Sequence, residues 1–151
     1  MRSQSRFQTF FKFLWPVVTG MYLLLGIVAP ILSAKGSNSG WIYYLLGRTC
    51  HQMPERSWFI AGHQLGFCAR CTGLHVGLFL AGLTLALLPG ILSRIQRPVI
   101  VAAILVVPML IDVLLGPFLP AFNLRSISTI TGFLAASGLT IAIFSAILCE
   151  K

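Results

Sequence analysis

The chain has 151 residues, 57% of them hydrophobic and only 9% charged, a balance far outside that of a soluble globule. Eleven Lys and Arg against three Asp and Glu give a net charge of +8, but the basic residues are spread along the chain, so no compact patch for nucleic acid results. The composition is that of a single integral membrane domain over residues 1–151, whose cations anchor it to the anionic headgroups of a lipid bilayer.

Crossing a bilayer takes about 20 mostly apolar residues of helix, and four stretches meet that requirement. The first, about 13–32, carries no charge and places Pro16 near its start, where the first helical turn lacks internal N–H partners. Arg2, Arg6 and Lys12 precede it. The apolar run is nevertheless long for a signal peptide and Leu32-Ser-Ala is a poor cleavage site, so the segment reads as a retained anchor.

The connection from Ser33 to Thr72 is the only long one. It begins with the turn-rich Lys35-Gly-Ser-Asn-Ser-Gly40 and continues into Trp41-Ile-Tyr-Tyr-Leu-Leu46, an aromatic patch too short to span and suited to lie as an interfacial helix over 41–46. The rest, 48–72, is a compact site loop with Gly62 and Gly66 as expected bends. It holds Cys50-His51 and, after sixteen intervening residues, Cys68-Ala-Arg-Cys71, so three of the four cysteines fall in one polar stretch.

The second span, about 74–92, follows directly. Gly73, Gly77 and Ala81 form one ridge of small residues, and Gly82, Ala86 and Gly90 a second, which predicts a central helix approached closely by its neighbours. The third span, about 99–119, contains the only acid within a span, Asp112, four residues after Pro108. A carboxylate in the last turns of a helix needs a cationic partner, and Arg125, just before the fourth span at about 127–148, is the expected one. Thr131-Gly132, Ala136 and Gly138 pack the fourth span, and Cys149 at its far end reads as a small apolar filler.

Four spans predict an all-α, four-transmembrane-helix bundle with a long Cys/His/Arg-bearing loop between helices 1 and 2. The side of the termini carries Arg2, Arg6, Lys12, Arg94, Arg97 and Lys151; the other carries Lys35, Arg48, Arg56, Arg70 and Arg125. Charge alone therefore decides little about orientation. If the loop arginines serve a site, the termini of this cell-membrane protein are cytoplasmic and the cysteine loop is extracytoplasmic. In either orientation His75, Asp112 and Arg125 reach the same membrane face as Cys50, His51, Cys68 and Cys71, so the polar exceptions converge on one interfacial site.

Two residues between Cys68 and Cys71 let both sulfurs face one tetrahedral ion or close a redox disulfide. Cys50 and His51 supply a third and fourth ligand, although adjacent residues bind one ion only with strain, and His75 is a further candidate one helical turn after Cys71. Arg48, Glu55, Arg56 and Arg70 surround the thiols. Guanidinium groups favour thiolate and also grip phosphate in a fork, so Arg48, Arg56 and Arg70 are candidate ligands for an anion or a lipid headgroup. Asp112 and Arg125 are candidate catalytic groups or a helix-tethering ion pair.

The string Cys50-His-Gln-Met-Pro-Glu-Arg-Ser57, then Gly62, then Cys68-Ala-Arg-Cys-Thr-Gly73 and Gly77, with Asp112, Arg125 and Thr131-Gly132 downstream, resembles the DUF2085 family of small predicted bacterial and archaeal membrane proteins. The resemblance implies that Cys50, His51, Gln52, Arg56, Cys68, Arg70, Cys71, Gly73, Asp112 and Arg125 form one site. It supplies no activity. It also implies an aromatic residue where His75 stands, which counts against His75 as a ligand.

Three functions suit these residues. The first is a membrane-face metal site, zinc by its soft ligands, built from Cys50, His51, Cys68 and Cys71. The second is a quinone-linked thiol–disulfide oxidoreductase cycling Cys68 and Cys71 with Cys50 as the relay, a reading lowered by the absence of a second cysteine pair on that face. The third is a lipid-phosphate binder or transporter using the arginines, which would need a homo-oligomer to form a pathway.

Overall fold

The computed structural model describes residues 2–88, 90–116, 118 and 124–148. Its helices are α1 (Arg2–Ala34), α2 (Gly40–Leu46), α3 (Ala69–Leu87), α4 (Gly90–Arg94), α5 (Pro98–Leu115) and α6 (Arg125–Leu148), with strands β1 (Ser57–Ile60) and β2 (His63–Cys68) between α2 and α3. Four of these helices, α1, α3, α5 and α6, are long and apolar enough to cross a membrane. The protein is an all-α membrane bundle with a small two-stranded sheet set on one end.

The first and second expected spans shift most, each for a physical reason. Helix α1 starts at Arg2, so Pro16 lies deep inside it rather than in its first turn, and Pro30 lies inside it as well. Such prolines are tolerated in membrane-spanning helices, where neighbouring helices and local backbone adjustment take up the freed groups. Helix α3 begins at Ala69 and ends at Leu87, five residues ahead of the expected span at each end. Its polar Ala-Arg-Cys-Thr-Gly start is helical because β2 feeds it directly. Its end is set by Leu88, which precedes Pro89 and is thereby biased away from helical backbone; Leu88 sits at φ −123°, ψ 68°.

The small-residue ridge seats α3 against α6. Gly73 lies against the Thr129 carbonyl, Gly77 against the Phe133 carbonyl and the Ala136 methyl, and Gly132 answers from α6 against the Arg70 carbonyl. Gly82 of the second ridge faces the Trp15 indole of α1, whose N–H donates to the Leu78 carbonyl at 3.2 Å. Gly90 is no part of that ridge, since it belongs to α4 and faces open space. Replacing Gly73 by alanine drives a methyl into α6 backbone that cannot move aside, and we expect a loss of about 3 kcal/mol, read as a lowered melting temperature in a fixed detergent.

The sequence reading expected a loop where the structure has a hairpin. Strands β1 and β2 pair antiparallel with Ile60 opposite His63 and Ser57 opposite Cys68, and an irregularity between Ser57 and Phe59. The two-residue connection Ala61-Gly62 has φ of 51° and 79°, the twist that tight hairpins favour. Gly62 is therefore a bend as expected. Gly66 is not; it lies within β2, where it lets the strand approach the Cα of Gly26 on α1.

Helix α2 is amphipathic in the way an interfacial segment requires. Ile42 and Leu46 are buried with Ala29, Cys50 and Phe67, whereas Trp41 and Tyr44 are exposed. A second apolar cluster of Leu85, Leu92 and Phe144, flanked by Phe11 and Trp15, closes the opposite end of the bundle.

Candidate functional site at the thiol cluster

Three elements deliver the cysteines to one point. Cys50 follows α2 after a single turn and is buried in the apolar cluster beneath the hairpin. Cys68 is the last residue of β2 and the N-cap of α3, with extended backbone at φ −69°, ψ 163°. Cys71 lies in the first turn of α3, close enough along the helix to bring its sulfur back toward Cys68. All three are free thiols, and their sulfurs lie within 4.8 Å of one another.

Two backbone donors reach the Cys50 sulfur. Its Sγ accepts the N–H of Gln52 at 3.5 Å and that of Cys68 at 3.2 Å, and donors aimed at a sulfur stabilise its thiolate. Hydrogen bonds from the Cys50 and Cys71 thiols hold Cys68 well below the usual thiol range, with the Arg70 charge adding to the effect. Sharing with Cys68 pushes the Cys50 thiol up. Of these two thiols, Cys68 is the one disposed to ionise.

A depressed pKa keeps the thiolate form as pH falls, so in metal-free protein Cys68 should still alkylate at pH 6 while Cys50 stays unmodified. Peptide mapping after a brief iodoacetamide pulse checks this order. Equal labelling of the two would contradict it.

The loop is held by side chains whose roles were less legible than those of the cysteines. Gln52, at φ 49°, donates its amide to the carbonyls of Tyr43 and Gly66, both at 3.0 Å. Gln64 returns an amide to the Gln52 carbonyl at 2.6 Å and to the Ser57 hydroxyl at 3.0 Å, and Tyr43 donates to the Gln64 carbonyl at 2.5 Å. This lattice fixes the backbone on which Cys50 and Cys68 stand.

The histidines stand outside the group of three thiols. His51 is exposed and lines the space beside Cys68. His75 packs its ring 4.3 Å from that of Phe67 and 5.0 Å from that of Tyr22, filling the aromatic position that the family resemblance implies. Cys149 lies outside the described residues.

Asp112 does converge on this face, but its partner is Arg70 rather than Arg125. Arg70 Nη2 lies 2.6 Å and Nε 2.8 Å from Asp112 Oδ2, a charge-assisted contact through two nitrogens. Ser128 donates to Oδ1 at 3.2 Å and Thr131 to Oδ2 at 3.3 Å. Close α3–α6 packing draws the start of α3 onto the carboxylate. Arg125, one turn before Ser128, instead donates to the Glu55 carbonyl at 3.3 Å and lies over the Phe59 ring at 5.7 Å. Ser128 and Thr131 were missed as carboxylate partners, though their spacing of three on one helix face was available as a signal.

Of the expected anion ligands, Arg56 and Arg70 line a cavity beside Cys68 together with Arg125. Arg48 points elsewhere, donating to the Tyr44 hydroxyl at 3.2 Å and lining a separate recess with Cys50 and His51.

Two curated relatives match part of the chain. An uncharacterized protein of Methanocaldococcus jannaschii is 35% identical over 65 residues, covering 38% of this chain and 42% of its own length. An uncharacterized protein of Methanothermobacter thermautotrophicus is 38% identical over 63 residues, covering 42% of this chain and 55% of its own length. The chain thus spans about half the length of these curated relatives. No solved structure matches it. The model of the DUF2085 family, described as a predicted membrane protein, matches residues 50–144. That interval runs from the first thiol through the Arg70–Asp112 pair to the buried Phe144 of α6, and the chain belongs to the DUF2085 family of predicted membrane proteins.

Proposed function

We propose that the protein binds a zinc-type metal ion at one membrane face through the thiolates of Cys50, Cys68 and Cys71. The observation that carries this reading is the mutual approach of three free sulfurs within 4.8 Å. Tetrahedral thiolate zinc, with Zn–S near 2.3 Å, needs sulfurs about 3.8 Å apart, so the cluster closes around an ion by side-chain adjustment alone. Soft thiolates select zinc or Cu(I) over magnesium or calcium. Three thiolates around a dication leave one net negative charge, which suits a site beside a cavity with a basic lining.

Three protein sulfurs would leave one position of a tetrahedral ion for a further ligand, and His51 lines the cavity beside Cys68. A site with three protein ligands and an accessible fourth place is the arrangement of catalytic rather than purely structural zinc. Ile42, Leu46 and Phe67 pack with the buried Cys50, and the partly buried Cys68 and Cys71 lie at the edge of that cluster.

A redox pair is the second reading, and the third thiol is what sets it behind. A disulfide takes two sulfurs, whereas here three converge. The apolar groove of about 580 Å³ between α1 and α3, the place a quinone would seek, is lined by residues such as Val17, Met21, Phe79 and Leu83 and by no cysteine. Phe79 lies eight residues along α3 from Cys71, about 12 Å.

Elemental analysis of protein purified anaerobically, paired with alkylation counting of each cysteine, separates the readings. The metal reading predicts about one ion per chain, with Cys50, Cys68 and Cys71 protected until a chelator is added. A Cys68–Cys71 disulfide in metal-free protein would overturn it.

A further inference from the structure

A cavity of about 260 Å³ opens beside the thiols, and its wall is basic out of proportion to its size. Arg56, Arg70 and Arg125 line it together with His51, Cys68 and Ser128. Arg70 is already neutralised by Asp112, the only ion pair among the described residues. Arg56 and Arg125 face no carboxylate there. The contacts of Arg125 to the Glu55 carbonyl and the Phe59 ring fix its guanidinium in place, and with five N–H donors available it has most of them left for the cavity.

The helices add to the same field. The first turns of α3 and α6 border the cavity through Ala69 and Arg70 on one side and Arg125 and Ser128 on the other. The positive ends of two long helix dipoles therefore point at a space already lined by two uncompensated cations. Forks approaching from two separate elements suit a tetrahedral dianion better than a planar carboxylate, which one guanidinium satisfies.

We propose that this cavity binds a phosphate-class anion, either a phosphate compound in solution or the headgroup of an anionic phospholipid, gripped by Arg56 and Arg125. The anion site stands on the guanidiniums and does not depend on the metal reading.

Two probes and four variants test it. Inorganic phosphate is titrated calorimetrically into the detergent-solubilised full chain, and the same protein is offered nanodiscs of phosphatidylcholine with and without phosphatidic acid. The wild-type protein should bind at least one probe. Arg56→Gln and Arg125→Gln should each weaken that binding about tenfold or more, while Arg94→Gln, beyond the other end of α3, leaves it unchanged. Cys71→Ser, which removes a proposed metal ligand, should retain it.

Saturation by free phosphate would assign a soluble phosphate compound; binding confined to phosphatidic acid nanodiscs would assign a lipid headgroup. Because Arg125→Gln also frees the Glu55 carbonyl and can loosen the loop, Arg56→Gln is the decisive variant. Binding to neither probe would overturn the proposal, as would equal binding by wild type and Arg56→Gln. Loss in Cys71→Ser with retention in both arginine variants would place the anion on the metal and overturn it as well.

Discussion

Cys71→Ser is expected to lower metal affinity more than about a hundredfold, which corresponds to about 2.7 kcal/mol, and Cys50→Ser and Cys68→Ser are expected to match it. A serine hydroxyl stays protonated at neutral pH and offers a soft ion no thiolate, so each substitution removes one of three comparable bonds. The equivalence of the three is the informative part. In a redox pair Cys50 would be dispensable to the Cys68–Cys71 bond, whereas in a metal site it is a ligand like the others. Chelator competition at fixed pH measures the affinities, and the wild-type affinity itself should fall as pH falls, because protons compete with the ion for the thiolates.

The second large effect concerns the ion pair beneath the site, and its two halves should not be equal. Asp112 is 1% exposed, while the Arg70 side chain is 23% exposed and borders the cavity. Arg70→Ala therefore strands a carboxylate with no route to water, and we expect a loss of about 3–5 kcal/mol. Asp112→Ala should cost less, since Arg70 can turn its charge into the cavity. Combining Arg70→Ala with Asp112→Asn should recover much of the loss, because the amide keeps hydrogen-bonding capacity toward Ser128 and Thr131 without a buried charge. Melting of the four proteins in one detergent decides the order. A larger loss for Asp112→Ala than for Arg70→Ala would show that the carboxylate is not confined as its burial implies.

Much of this architecture was legible because membrane crossing imposes simple lengths. Four apolar runs force Asp112, Arg125 and the cysteine loop to one face whatever the packing, and that convergence is present in the contacts of Asp112 with Ser128 and Thr131 and of Arg125 with the Glu55 carbonyl. The identity of the carboxylate's partner was not legible. Arg70 and Arg125 both begin helices at that face, and only the glycine-mediated seating of α3 on α6 selects Arg70.

The start of helix α3 is hidden in the sequence because Ala69-Arg-Cys-Thr-Gly73 lacks the hydropathy of a span. The hairpin left a fainter trace. Ser57-Trp-Phe-Ile60 has strand-forming residues, but Ala61-Gly62 takes the place of the Asn-Gly or Asp-Gly that marks such a turn. His51 and His75 show how far spacing carries: both lie near the thiols in sequence, yet one faces the cavity and the other packs against Phe67 and Tyr22.

X-ray absorption at the metal edge of anaerobically purified protein bears most directly on the three-thiol site. A zinc edge with about three sulfurs near 2.3 Å and one nitrogen or oxygen near 2.0–2.1 Å is the expected result. A shell of nitrogen and oxygen alone, unchanged when Cys68 and Cys71 are replaced by serine, would contradict it.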